Sequence, residues 1–152
     1  MSSARSQRIK IVRAIAEKLK TIDGTGSYET NLNGNAYPTL KFWDEVNNFP
    51  SVYLSAGTET REYLPANFTW AYLNISIKAY VKSRDTAQEE LEALLADIET
   101  CIDKNRMLEF DENKQTTEIL VNTITTDEGL LIPYGVGEIN IQVRYALDSS
   151  YT

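Results

Sequence analysis

Two stretches of the chain carry the clearest periodicity. From Leu73 to Val81, apolar Leu73, Ile75, Ile77, Ala79 and Val81 alternate with Asn74, Ser76, Lys78 and Tyr80. That is the period of a strand with one dry face and one wet face. Ser83-Arg84-Asp85 breaks the alternation, and a helical period replaces it. Ala87, Leu91, Leu94, Leu95, Ile98, Cys101 and Ile102 fall within an arc of roughly 120° at 100° per residue. Asp85 is placed to cap this helix, with Gln88 three residues on to complete a capping box. Glu89 and Glu90 stand where the helix dipole favours negative charge, and Lys104-Asn105-Arg106 closes the last turn with positive charge. The other clear stretch is the closing strand, where Ile139, Ile141, Val143, Tyr145 and Leu147 alternate with polar positions. It mirrors Leu73–Val81, so the two are predicted neighbours under the helix.

Around this frame the pattern predicts further elements. Ile9, Ile11, Val12, Ile15, Leu19 and Ile22 form the apolar side of a first helix, capped by Ser3 or Ser6 and ended near Ile22, with Gly24 in the left-handed position after its C-terminus. Its basic residues would suit a partner or a membrane surface, but Glu17 interrupts them, and packing on a sheet is the favoured reading. Asn33-Gly34 is a turn signal and predicts a loose hairpin of Tyr28–Leu32 against Ala36–Leu40. Trp43–Val46 reads as one helical turn. Ser51–Ala56 reads as a strand with Pro50 at its start, where a missing N–H does least harm.

Gly57 to Phe68 is charged, aromatic and long enough to project as a hairpin arm or a loop. Phe68, Trp70 and Tyr72 then alternate into the central strand on the face opposite Leu73. Aromatics on a face that a single helix layer leaves wet point to an interface or to a curled sheet filling its own interior. Met107–Phe110 is a short apolar return and Asp111–Gln115 a polar turn. Glu118–Thr126 reads as a strand, Asp127–Gly129 as a turn and Leu130–Pro133 as an edge segment. The sum is an α+β domain with strands and helices in the order α–βββ–α–ββ: a mostly antiparallel sheet of five or six strands with two helices on one face.

Composition narrows the function more than the fold. At 152 residues, 42% hydrophobic and 24% charged, the chain is expected to be one soluble domain able to bury about 70% of its unfolded surface. No apolar run approaches the roughly 20 residues that span a bilayer. The start lacks the apolar core of a signal peptide, so a cytoplasm-like compartment is expected. The single cysteine, Cys101, lies on the apolar helix stripe and reads as a buried hydrophobe. A net charge of −7 repels phosphate backbones and argues against tight DNA binding.

There is no histidine. That removes the commonest general base, the Ser-His and Cys-His pairs and the usual zinc and iron ligand sets. Gly135-Val136-Gly137 lacks the third glycine of a dinucleotide loop and reads as permitting a bulge before the last strand. Asp111-Glu112-Asn113 and Asp127-Glu128-Gly129 lack calcium-loop spacing. Asn67-Phe68-Thr69 and Asn74-Ile75-Ser76 match a glycosylation pattern by letter only. The carboxylates of Glu89–Glu99 read as the solvated face of a helix. An enzyme is not expected, nor is a cofactor or a metal.

The order of these features resembles the tail terminator, or tail completion, proteins of long-tailed bacteriophages. The residues that carry the resemblance are the basic amphipathic first helix, KFWDEVNNFPSVYLSAGTETREYLP, YLNISIKAYVK, AQEELEALLADIETCID and GEINIQVRY. It implies a small α+β subunit in a six-membered ring that caps the tail tube and stops its growth, with its other face toward the head-completion, or neck, proteins. It implies a virion protein, assembled in the host cytoplasm, with DNA passing its channel unbound and no membrane partner. A ring needs head-to-tail interfaces, and Arg61, Glu62, Tyr63, Phe68 and Trp70 of the arm are the expected contacts to a neighbour or to the tube, Tyr and Trp serving as anchors and Arg for oriented pairing. The other reading of the arm is a solvated hairpin with two core aromatics. The alternatives for the whole chain are a connector or neck protein facing the portal and, from a different class, a small-ligand domain or enzyme with Tyr and Trp lining a pocket.

Overall fold

A computed structural model describes residues 6–147. Helix α1 (Gln7–Leu19) is followed by β1 (Ala36–Tyr37), a 3-10 turn (Trp43–Glu45), β2 (Ser51–Leu64), β3 (Phe68–Lys82), α2 (Ala87–Lys104), β4 (Glu109–Asp111), β5 (Lys114–Gln115), β6 (Glu118–Thr126) and β7 (Tyr134–Ala146). Five strands form one sheet in the order β1-β2-β3-β7-β6, antiparallel except where β1 meets β2, and β4-β5 is a separate small hairpin. Both helices cover one face, so the chain has the expected α+β architecture.

The strict alternation of β3 and β7 gives their pairing directly. Leu73 lies opposite Val143, Ile75 opposite Ile141 and Ile77 opposite Ile139. All six are buried, and against them pack Leu91, Leu94, Leu95 and Ile98 of α2 and Ile11, Ile15 and Leu19 of α1. Each such aliphatic side chain contributes about 1.5–3 kcal/mol by leaving water. α1 sits over the β1–β2 side of the sheet and α2 over β3, β7 and β6. Cys101 is buried and donates to the Lys18 carbonyl, and burial pushes its thiol pKa up.

Several local expectations are corrected. Ser6 caps α1, its Oγ accepting from Ile9 N; Ser3 lies outside the described residues. The helix stops at Leu19, and Gly24, though left-handed at φ +80°, belongs to the turn beyond it. Residue 86, not 85, caps α2: Thr86 donates to Glu90 and its N–H to Ser83 Oγ, in place of the Asp85–Gln88 box. Asn33 and Gly34 are both left-handed, yet the hairpin does not form, because β1 leaves the turn to pair in parallel with Val52 and Tyr53. Leu130–Pro133 is a turn rather than an edge strand, closed by Leu130 N to Asp127 O and Tyr134 N to Leu131 O.

Gly135 and Gly137 make no bulge; β3 and β7 pair without a break across both. They let α2 approach the sheet. A Cβ on Gly135 would lie 2.7 Å from Val81 Cγ2, 3.1 Å from the Ala87 carbonyl and 3.2 Å from Leu91 Cβ. The Ala87 oxygen is backbone and cannot rotate away. Gly135→Ala should therefore cost about 1–3 kcal/mol through overpacking. Urea unfolding checks it, and a variant as stable as the parent would show that α2 can lift at no cost.

Candidate interaction surface

The second face of the sheet divides into three zones. Its middle is polar and internally paired. Ser76 Oγ donates to Asn140 Oδ1, Asn140 Nδ2 donates to Thr123 Oγ1, and Lys78 Nζ meets Glu138 Oε1 at 2.6 Å. That hydrogen bond from Lys78 holds the Glu138 carboxyl below its ordinary pKa. A lowered carboxylate pKa contributes stability that is present above the unfolded value of about 4.5 and lost as pH falls through the folded one. Glu138→Gln should remove up to about 1 kcal/mol at pH 7, the pair being partly solvated, and little by pH 3. Thermal melts across that range test it; equal losses at both pH values would contradict it.

One end of this face is covered by the chain itself. The segment after β1 lays Trp43 and Phe49 against Tyr134, while Tyr53 stands between Tyr37 and Tyr80 with ring centroids 5.2 and 5.7 Å away. Tyr80 donates to the Lys41 carbonyl, and burial raises its hydroxyl pKa to about 12. Part of the aromatic excess of this face is thus a small second core.

The other end is the arm, and among the described residues nothing packs over its tip. β2 and β3 run as one long hairpin that turns at Ala66 and Asn67, both left-handed. A bulge between Ala56 and Glu59 inserts one extra residue in β2. Because strand side chains alternate, one inserted residue exchanges the two faces of everything beyond it. Glu59, Arg61 and Tyr63 are turned to the helix side, and Thr60, Glu62 and Leu64 to the open side. Arg8 of α1 donates to the Gly57 carbonyl at the bulge. Glu59, its side chain only 4% exposed, accepts from Tyr145 Oη at 2.6 Å and pairs with Arg61 at 2.8 Å. Burial, then the Glu59 bond, raises the Tyr145 pKa well above its ordinary value.

The five expected contact residues therefore separate into two groups. Arg61 is anchored to Glu59, and Tyr63, 73% exposed, stands beside Arg61 near the tip on the same side. On the open side Glu62 is opposite Trp70 and Leu64 opposite Phe68. Phe68 meets the Trp70 ring edge-on at 4.8 Å, the Arg144 guanidinium lies 4.3 Å from its centroid, and Tyr72 Oη donates to Glu62 at 2.8 Å. The Glu62 hydrogen bond raises the Tyr72 pKa. Arg144 is held in place by Thr117 Oγ1 at 2.8 Å. A cavity of about 240 Å³ beside it is lined by Tyr72, Glu118, Leu120, Gln142 and Arg144. Arg144 and Leu120 were not legible as contacts, since each reads simply as a position on the wet side of its strand. Glu59 was hidden by the bulge. An exposed Phe68 with half-buried Trp70 and Arg144 over a shallow hollow makes a surface rich in the residues that dominate protein–protein contacts.

Residues 5–151 match the family described as Bacteriophage Tail Tube Terminator Protein. The tail tube terminator protein p142 of Escherichia phage T5 is 38% identical over 149 residues, which are 91% of this chain and 92% of that protein. A chain from the virion of a native gene transfer agent particle superposes with a TM-score of 0.61 over 93% of this chain and 100% of that one. At 12% identity that likeness shows the fold. The molecule is a structural protein of the bacteriophage tail and not an enzyme. It belongs to the bacteriophage tail tube terminator family.

Proposed function

We propose that this protein forms a ring, six-membered as the resemblance implies, on the end of the polymerised tail tube. There it stops further addition of tube subunits and offers its opposite face to a head-completion or neck protein. The observation that carries this reading is the match to tube terminators along nearly the whole chain. It favours the tube end over a connector facing the portal. Two features of the fold support it. The sheet ends in open strands on both sides, β2 beyond its short pairing with β1 and β6 opposite. The two sides are different surfaces, as head-to-tail closure requires.

The arm carries the open β2 edge on to the end of the hairpin, and we assign it the contact to tube or neighbour through Arg61, Glu62, Tyr63, Phe68 and Trp70. A net charge of −7 suits a channel that lets DNA pass without gripping it. The reading places the protein in the virion after assembly in the host cytoplasm, and needs neither cofactor nor membrane.

The test is the solution mass by light scattering over a range of concentration and salt, repeated with polymerising tube protein. A discrete oligomer, or a multi-copy cap on tubes of arrested length, is expected. Tubes that keep growing with the protein present would overturn the reading.

A further inference from the structure

We propose that Leu130 and Ile132 of one copy seat in the apolar groove between α1 and β2 of the next copy, as the lateral contact of the ring. This rests on the ring reading above and adds what closes it. Leu130 is 84% and Ile132 65% exposed. They stand on a turn that is already fixed. Asp127 accepts from Leu131 N and Val136 N through its carboxylate and from Leu130 N through its carbonyl, and Ser83 N donates to the Pro133 carbonyl. An apolar tip held in one conformation loses little entropy on docking.

The groove is lined by Ile9, Val12, Pro38, Leu54 and Ala56 and has a volume of about 400 Å³, well above the ~150 Å³ that holds a benzene. It explains why Ile9, on the apolar stripe of α1, is 45% exposed: it forms the rim. Tip and groove belong to opposite sides of the sheet. The groove lies on the β2 side, whereas the turn links β6, the last strand at the other edge, to β7.

Charge selects the same pairing. α1, beside the groove, carries four basic residues and one acidic, with Lys10 paired to Asp111, whereas α2 carries five acidic residues besides the buried Asp97 and one basic. The turn adds Asp127 and Glu128 and lies against the start of α2, Gly129 facing Gln88. An acidic edge with an apolar tip thus meets a basic edge with an apolar hollow. Such complementarity steers encounter and discourages the two like-charged pairings.

The test is a cysteine pair, Leu130→Cys with Ala56→Cys, in protein assembled on tail tubes. Cys101 is 1% exposed and does not compete. Oxidation should give a ladder on a denaturing gel that ends at the ring's copy number, with no ladder from either single variant. Multi-copy caps seen by microscopy with no ladder would overturn the docking and leave the ring standing. Tube ends carrying single copies would overturn the ring and the docking together. Separately, Leu130→Asp with Ile132→Asp should raise the concentration for half-assembly at least about tenfold with the melting temperature unchanged, both side chains being exposed. Unchanged assembly would also overturn the docking.

Discussion

Replacing Asp97 with alanine should lower stability by about 2–4 kcal/mol, the largest loss expected from any single polar side chain here. Asp97 is 3% exposed, and its carboxylate gathers a segment nearly seventy residues away. It accepts from Glu29 N at 3.0 Å and from Thr30 N and Thr30 Oγ1 at 2.7 and 2.5 Å. Hydrogen bonds to a charged group are worth about 1.5–3 kcal/mol each. Residues 29 and 30 lie near the surface, so water would satisfy part of what the carboxylate leaves behind, and the sum falls well short of three full bonds. Thr30→Val keeps both backbone donors and should cost about 1 kcal/mol. Denaturant unfolding is the measurement, read as a lower midpoint with an unchanged slope. A loss under 1 kcal/mol for Asp97→Ala would show that Leu32 and Ile22, both fully buried, hold this segment without the clamp.

Asp97 also marks where the sequence stops being informative. Helical spacing puts it beside Leu94 and Cys101, on the buried arc, but a carboxylate among Glu89, Glu92 and Glu99 reads as solvated. Its partners are two backbone N–H groups and a hydroxyl of a loop, which no periodicity announces. The same division runs through the chain. β3, β7 and α2 were readable because each has one wet and one dry face, so the spacing of apolar positions alone orients them. β6 was readable from its β-branched run. The failures concern non-local pairing. Asn33-Gly34 makes a left-handed turn as its residues require, but where Ala36 goes next depends on a free strand edge at Val52. Gly135 and Gly137 signalled a backbone need correctly, and only the approach of Ala87 and Leu91 shows that the need is space rather than bend. In the arm the five contact candidates were legible as aromatic and charged, while their separation onto two faces depends on the bulge at Gly57-Thr58.

That separation makes the functional prediction sharper. Trp70→Ala should weaken capping of the tube, or association of copies, by about 30- to 150-fold, equivalent to about 2–3 kcal/mol, with a much smaller effect on folding. Trp70 is half-buried at the margin of the sheet and lies outside both hydrophobic cores. It is instead the centre of an exposed arrangement, with Phe68 against its edge, Arg144 over its face and Glu62 across the strand. Removing the indole strips two neighbours of their support at once. Phe68→Ala should therefore have a smaller effect of the same kind. Arg144→Lys should fall between the two, because an ammonium keeps the charge but not the planar stacking of a guanidinium. On the opposite face, Tyr63→Ala separates the two sides of the arm: if it matches Trp70→Ala, the tip is gripped from both faces; if it is silent, the open face alone makes the contact. The measurement is a titration of tube ends with each variant, beside a thermal melt. Normal capping by Trp70→Ala with a large drop in melting temperature would make the cluster a piece of core after all and would move the tube contact away from the arm.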